Sequence, residues 1–205
     1  METHGKLAQL ARPFVDAVAE PSATPGGGSV AALAAALAAG LGQMVAGLSR
    51  KKKAQAAYVD QLSAAVAELH AAAQRMTQAI DRDAASYDAV LTAFKLLQGT
   101  PQEQQAREAA IQNATKGAAE VPLEVAQAAT EIFERLGQLE AISNPSMLSD
   151  LRVGRLMAAA GARGALQNVS INLEGITDAG YVAEMKKAAA AIEARLAGSP
   201  VTVTR

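Results

Sequence analysis

The chain has 205 residues, a formal net charge of −1 and no cysteine, which fits one domain with a sizeable core. The balanced charge gives no indication of nucleic acid or an anionic membrane as a partner, and the lack of thiols excludes disulfides and thiolate zinc sites. Hydrophobic residues make up 50% of the chain, aromatic residues only 3%, and alanine is abundant, so we predict an all-α, single-domain helical bundle.

The predicted helices follow from hydrophobic periodicity and from the positions of proline and glycine. The N-terminal segment is polar and contains Pro13, unlike a signal peptide, so the expected location is the cytoplasm. Pro122 lies near the first turn of a restarted helix, and SNPS at 143–146 is a predicted turn. The domain is expected to span 1–205, with 198–205 as a tail. The predicted helices are 5–19, 30–48, a broken stretch over 54–97, 102–118, 121–143, 147–173 and 178–197.

The glycine-rich stretch GGGSVA at 26–31 fits the pattern G-x-G-x-x-A. A dinucleotide-binding fold requires a strand directly before this motif, but the preceding residues VDAVAEPSATP include two prolines. A Walker loop requires a lysine after the glycines, and none follows here. Both phosphate-binding interpretations therefore fail on their context.

The segment that follows the glycines, from Val30 to Leu48, is uncharged and precedes the basic run Arg50–Lys53, as a membrane span with a cytoplasmic anchor would. Alanine gains little in lipid, however, and the large side chains recur on one helical stripe. This pattern favours a buried central helix of a bundle, so no membrane partner is expected. The stripe consists of Leu33, Leu37, Leu41, Met44 and Leu48.

Asp83 interrupts the apolar seam of the helix predicted over 76–94. Positions 76, 80, 83, 87, 90 and 94 share one helical face, and all except Asp83 carry apolar or aromatic side chains. Burying a carboxylate without partners is costly. Two interpretations stay open: an acid with satisfied hydrogen bonds at the core or its edge, or a proton-transfer group in a cleft. Asp81 and Asp88 lie off the seam and are expected to be solvated.

A second unusual face lies on the helix predicted over 147–173. Asp150, Gly154, Gly161, Asn168 and Asn172 share it, with Met157 and Ala165 between them. The small side chains indicate either a tight helix–helix crossing or a groove that admits a flat ligand, with polar groups at both ends.

The remaining polar candidates carry weaker signals. The pattern of Lys51–Lys53 alone indicates a solvated helix end, whose positive charges complement the helix dipole. His4 and His70 lack paired metal-ligand spacing, so no metal site is predicted.

Four stretches together resemble one known family. They are PSATPGGGSVAALAAALAAGLGQMV, IDRDAASYDAVLTAFK, NPSMLSDLRVG and GALQNVSINL, in this order between about Phe14 and Ile176. The combination of Pro-Gly-Gly-Gly-Ser with a later Asp-x-Asp-Ala is similar to the cyclodeaminase/cyclohydrolase family. This family comprises the C-terminal domain of formiminotransferase-cyclodeaminase and stand-alone bacterial methenyltetrahydrofolate cyclohydrolases. The resemblance implies an all-α homodimer that acts on a one-carbon unit held between N5 and N10 of tetrahydrofolate.

The resemblance also implies roles for individual residues. It places the catalytic acid at Asp83, the same acid that interrupts the apolar seam. Asp150 joins the expected substrate-binding set because it ends the same helical face as the two asparagines. The expected substrate-binding residues are Pro25, Gly26, Gly27, Gly28, Ser29, Lys52, Lys53, Asp150, Asn168 and Asn172.

The implied chemistry needs one shuttling carboxylate and no cofactor beyond the folate substrate. A cyclohydrolase adds water to the methenyl carbon and yields 10-formyltetrahydrofolate, whereas a cyclodeaminase releases ammonia from the formimino group. Either reaction requires a group that takes a proton and returns it to a departing nitrogen. The stand-alone form favours the cyclohydrolase. Three alternatives stay open: the cyclodeaminase, a folate-binding protein without turnover, and a purely structural bundle or membrane-associated protein.

Overall fold

The structure, a computed structural model, describes residues 7–201, so His4 lies outside the described residues. Within this part of the chain every regular element is helical, which confirms the all-α prediction. The α-helices are α1 (Leu7–Ala19), α2 (Gly27–Ser49), α3 (Val59–Phe94), α4 (Pro101–Leu139), α5 (Leu148–Leu173) and α6 (Ala179–Ala197), with 3₁₀ turns at Lys53–Tyr58 and Pro145–Met147.

Helices α2 to α5 form an antiparallel four-helix bundle, in which α2 and α4 each pack between α3 and α5. The 36 residues of α3 and 39 of α4 make helices of about 54 and 58 Å, whereas α2 is about 35 Å long. The α3–α4 hairpin therefore extends past the first turn of α2. A capping box of Thr100 and Glu103 begins α4, and Arg107 donates to the Phe94 carbonyl at 3.1 Å, which closes the end of the hairpin.

The small residues of α2, not its leucines, form its buried face. Ala32, Ala35, Ala38 and Ala39 have no exposed surface, whereas the Leu37 side chain is 50% exposed. Small side chains let helix backbones approach closely: Gly161 of α5 lies so near the Ala31 carbonyl that an added β-carbon would be 2.8 Å from its oxygen. The prediction of a central helix is correct, but its leucine stripe points away from the bundle.

Among residues 7–201, α2 is the one helix long and apolar enough to cross a membrane by length and composition. Half of its most apolar window is buried against the rest of the chain. Helix α2 packs against α3, α4 and α5, as expected for the central helix of a bundle.

Helix α4 runs without interruption through Pro122, so the predicted break between 118 and 121 is wrong. A proline inside a helix removes the N–H that would bond to the carbonyl four residues earlier, here that of Ala118. The Asn172 side chain of α5 donates to this carbonyl at 2.7 Å and replaces the missing bond. The stretch predicted as broken over 54–97 is divided near its start, where the 3₁₀ turn Lys53–Tyr58 precedes α3, and α3 is then continuous from Val59 to Phe94.

The end of the bundle away from the first turn of α2 is fastened by Arg155. Its guanidinium is nearly buried, stacks over the Phe133 ring at 4.5 Å and pairs with Glu140 at 2.9 Å. It also donates to the carbonyl and hydroxyl oxygens of Ser199. The first residues of the predicted tail are therefore bound to the bundle.

Candidate active site

The first turn of α2 forms one wall of a cavity. The helix begins at Gly27, and its N-cap Gly26 has no side chain to bond to the free N–H groups of that turn, which carry the positive end of the helix dipole. The cavity has a volume of about 340 Å³, at the lower end of the range for small-molecule sites. It is lined by Ala23, Thr24, Gly26, Gly27, Gly28, Asp83, Ser86, Tyr87, Val90, Thr115, Ala118, Asn168, Ile171 and Asn172.

Asp83 of α3 is the carboxylate of this cavity. It is half-buried, at the point where the apolar seam of α3 leaves the core: Met76 is buried, but the Tyr87 side chain is 40% exposed. The Ser29 hydroxyl donates to Asp83 Oδ2 at 2.9 Å. Asp81 and Asp88 are exposed outside the cavity, as the sequence predicted. Asp83 therefore has features of both interpretations: it is hydrogen-bonded at the edge of the core, and it lines a cleft.

Two glycines allow side chains from two other helices to reach the start of α2. A β-carbon at Gly28 would overlap the Asp83 carboxyl group, and one at Gly27 would lie 3.3 Å from Asn168 Nδ2. Only a residue without a side chain at position 28 leaves room for the carboxyl group where it stands. From the sequence, these glycines are expected to let a ligand approach the backbone. The structure shows that they also let the protein's own Asp83 and Asn168 side chains approach it.

Both predicted asparagines line the cavity, and both amide groups already donate to α-helical carbonyls. Asn168 Nδ2 donates to Gly164 at 3.0 Å, and Asn172 Nδ2 donates to Ala118 at 2.7 Å. Because the amide nitrogens hold the backbone, the side-chain oxygens are the atoms that can accept hydrogen bonds from a ligand. Their substrate-binding roles stay predictions.

Ser29 cannot contact a substrate directly in this structure, contrary to its predicted role. Its side chain is fully buried, because it points from α2 towards α3 rather than into the cavity, and its hydroxyl is occupied by Asp83 and by the Ile80 carbonyl at 3.2 Å. Pro25 follows Thr24 through a cis peptide bond; its neighbours Thr24 and Gly26 line the cavity, but Pro25 itself does not.

Lys52, Lys53 and Asp150 do not line the cavity of their own chain, and their substrate-binding roles stay predictions. Ser49 is twenty-one positions after Gly28 on the same helix, so the lysines that follow it lie about 30 Å or more from the first turn of α2. Asp150 is in the first turn of α5, about 27 Å along the helix from Asn168. The face that Asp150 shares with the asparagines is filled between them by α2, since Gly154 and Gly161 pack against the Ala38 and Ala31 carbonyls.

The sequence analysis did not assign Tyr87 and Ile171 to a site, although both line the cavity. Tyr87 follows Asp83 by one helical turn, and its spacing alone is that of a core residue. Ile171 lies between the asparagines on a helix, and its 60% exposure is visible only in three dimensions. Apolar and aromatic side chains that line the same cavity as a carboxylate suit a flat heterocyclic ligand.

A larger cavity of about 460 Å³ lies between α3 and α4, lined partly by Arg75, Arg135 and Ile132. Its charged groups include the ion pair of Arg135 with Glu68 at 2.8 Å, and none of the predicted site residues lines it. Within residues 7–201, no three His, Cys, Asp or Glu side chains are grouped as a metal ion would require. Of these two cavities, the smaller one contains the predicted catalytic acid Asp83 beside the first turn of α2.

An all-α bundle with a half-buried carboxylate at a helix N-terminus defines a protein suited to proton transfer on a small ligand. Residues 11–191 match the family described as Formiminotransferase-cyclodeaminase. The chain belongs to this family, which confirms the resemblance noted in the sequence.

The relatives that the chain resembles are named for two different reactions. The chain is 39% identical over 168 residues to formimidoyltransferase-cyclodeaminase of Rattus norvegicus, a match that covers 82% of this chain and 31% of that protein. It is 33% identical over 174 residues to methenyltetrahydrofolate cyclohydrolase of Methylorubrum extorquens, with 85% of this chain and 84% of that protein covered.

Among solved structures, formiminotetrahydrofolate cyclodeaminase of Thermotoga maritima superposes with a TM-score of 0.82 at 29% identity, covering 91% of this chain and 89% of that one. The chain thus spans about a third of the matched Rattus norvegicus protein and most of the two bacterial proteins.

Proposed function

We propose that this protein is a cytoplasmic methenyltetrahydrofolate cyclohydrolase in which Asp83 shuttles one proton. Water adds to the cationic methenyl carbon, and Asp83 takes a proton from that water. The bond from this carbon to N5 then breaks, Asp83 returns the proton to N5, and the remaining hydroxyl proton leaves as the formyl group forms on N10. The methenyl carbon is already electrophilic, so the reaction needs no cofactor beyond the substrate.

The observation that carries this proposal is the position of Asp83 in a cavity at the start of α2, beside asparagine and tyrosine side chains that can orient a heterocycle. The match to the bacterial cyclohydrolase over most of both chains supports the choice of reaction. A cyclodeaminase activity is the second candidate, supported by the match to the Thermotoga maritima structure over most of both chains.

The test uses purified protein with 5,10-methenyltetrahydrofolate, whose near-UV absorbance is lost on hydrolysis, and separately with formiminotetrahydrofolate, from which ammonia release is measured. Asp83→Asn should lower kcat about 10²–10⁴-fold, the usual contribution of positioned acid–base catalysis, with folding intact. Asp81→Asn, on an exposed neighbouring position, is the matched control and should retain kcat. Folate binding without turnover of either substrate by the parent would refute the enzyme proposal, and an unchanged kcat in Asp83→Asn would refute the role of Asp83.

We also propose that two chains associate through the exposed stripe of α2. Leu37, Met44 and Leu48 are 50%, 41% and 40% exposed, and the stripe from Leu33 to Leu48 is about 22 Å long. A parallel pairing would set two basic runs, Arg50–Lys53, side by side. An antiparallel pairing keeps them apart and opposes the helix dipoles favourably. The apolar residues of α1, none of which is buried in its own chain, would add area towards the roughly 800 Å² per partner of a stable interface.

An antiparallel pairing would bring the basic run of one chain to the cavity of the other. The uncharged segment from Val30 to Leu48 is centred on Ala39, so an antiparallel pairing about this centre would place Leu48 opposite Val30. The partner's Lys52, four residues after Leu48, would then lie near Gly26. Lysines that cannot reach the cavity of their own chain would then meet the anionic glutamate tail of a folate bound to the other chain.

Light scattering at micromolar concentration should show a dimer, and Leu37→Glu should dissociate it. The contribution in trans is tested by mixing inactive Asp83→Asn chains with chains that carry Lys52→Gln and Lys53→Gln. The hybrid dimer holds one cavity with both Asp83 and the partner's lysines intact, and it should show the parental KM for polyglutamylated substrate. A KM as high as that of the Lys→Gln homodimer would refute the trans arrangement, and a monomeric parent would refute the dimer.

A further inference from the structure

Ser29 is joined to the candidate acid in an unusual way. Its hydroxyl oxygen lies 2.9 Å from Asp83 Oδ2 and 3.2 Å from the Ile80 carbonyl oxygen. A serine hydroxyl has a single hydrogen to donate but can also accept, so it cannot donate fully to both oxygens at once. Ser29 is fully buried, with no exposed surface, which excludes bulk water as a substitute partner.

The two acceptors make the hydroxyl compatible with either charge state of Asp83. When Asp83 is ionised, the Ser29 hydrogen points to Oδ2 and forms a charge-assisted bond. When Asp83 carries a proton on Oδ2, that proton can be donated to Ser29 Oγ, and the Ser29 hydrogen turns to the Ile80 carbonyl. The exchange needs only a rotation about the Cβ–Oγ bond, and no heavy atom moves.

We propose that Ser29 is a positioning residue that hydrogen-bonds Asp83 in both of its protonation states, so that the acid can take and return a proton without leaving its place. This inference rests on the proposed role of Asp83 as the proton shuttle. It assigns to Ser29 a task different from substrate contact: Oδ2 is held by the protein, and Oδ1 is left as the oxygen that exchanges protons with the substrate. After proton uptake on Oδ1, the Ser29 hydrogen bond to Oδ2 persists; a proton that relaxes to Oδ2 is held by Ser29 Oγ.

The main experiment is Ser29→Ala, which removes the hydroxyl and leaves a smaller side chain that the buried position accommodates. Because a hydrogen bond to a charged group is lost, kcat should fall about 10- to 100-fold, while KM stays within about twofold since Ser29 does not touch the substrate. The fall should hold across the whole pH–rate profile, because both charge states of Asp83 lose their partner. Ser29→Cys, of similar size and with a weak donor, should recover part of kcat and serves as the test if the alanine variant does not fold.

Ser49→Ala is the matched control. Ser49 is equally buried on the same helix, and its hydroxyl accepts from the Asn144 N–H at 2.9 Å at the far end of the bundle. Its loss should lower thermal stability with kcat unchanged. A kcat within about threefold of the parent in Ser29→Ala would overturn the proposal, as would a profile merely displaced to higher pH with full kcat restored at its alkaline plateau. If Asp83→Asn also keeps its kcat, the proposed role of Asp83 as the proton shuttle has failed; if Asp83→Asn is inactive, only the role of Ser29 has failed.

Discussion

Gly28→Ala places one methyl group where the Asp83 carboxyl group now lies. A β-carbon built on Gly28 would overlap all three atoms of that group, so no small adjustment accommodates it. Either the Asp83 side chain leaves its rotamer and its bond to Ser29, or α3 moves away from α2. In both cases the carboxyl group shifts by about 1 Å or more, and a displacement of that size costs about 10²-fold in rate.

The same substitution has opposing effects on stability. Alanine is favoured over glycine within a helix by up to about 1 kcal/mol, whereas overpacking costs about 1–3 kcal/mol. We therefore expect a net destabilisation of about 1–2 kcal/mol, or a Tm lower by roughly 2–8 °C for a domain of this size. Removal of the Asp83 carboxyl group should abolish this destabilisation. In an Asp83→Ala background, Gly28→Ala should no longer lower the stability, because the two sites are in contact and their effects are coupled.

The assay is kcat for methenyltetrahydrofolate hydrolysis, together with thermal unfolding followed by circular dichroism. The control is Gly117→Ala in α4, where an added β-carbon meets no atom within 4 Å; it should stabilise slightly and leave kcat unchanged. Retention of kcat within threefold in Gly28→Ala, or an equal loss of stability with and without the Asp83 carboxyl group, would refute this account of the site.

Two further predictions concern the framework around the cavity. Asn172→Ala should lower the free energy of unfolding, measured in urea, by about 1–3 kcal/mol, because it leaves the Ala118 carbonyl unpaired. The loss should be clearly smaller in a Pro122→Ala background, in which the alanine N–H can bond to that carbonyl. An equal loss in both backgrounds would show that the Asn172 bond does not replace the missing helical bond. Burial, aided by the negative charge of Glu120, raises the pKa of Tyr181 from 10.0 to about 12. The neutral phenol therefore stabilises the fold fully below pH 10, and this contribution is lost as the pH rises towards 12; Tyr181→Phe should make the fall in Tm over this interval shallower, and an unchanged slope would contradict it.

Much of the helical architecture is predictable from the sequence because the periodicity of a helix is a local property. The period of apolar residues predicts an all-α chain, and the interruption of that period singles out Asp83 from the residue pattern alone. Side chains on one helical face are set by residue spacing, so a carboxylate in an apolar seam is a signal within a single helix. The resemblance of the glycine-rich stretch to a known family then links that acid to folate chemistry.

The pairing of helices is not predictable from these local patterns. Periodicity divides a helix into faces but does not say which face is buried, and on α2 the alanines are buried because small side chains allow closer packing than leucines. The bond of Ser29 to Asp83 joins residues 54 positions apart, as does the bond of Asn172 to Ala118 that lets α4 continue through its proline. Lys52 and Asp150 are predicted to bind the substrate, yet the lengths of α2 and α5 place them at the other end of the bundle from the cavity. Spacing along one helix fixes direction, and only the packing of several helices fixes distance, which is the quantity that acid–base chemistry requires.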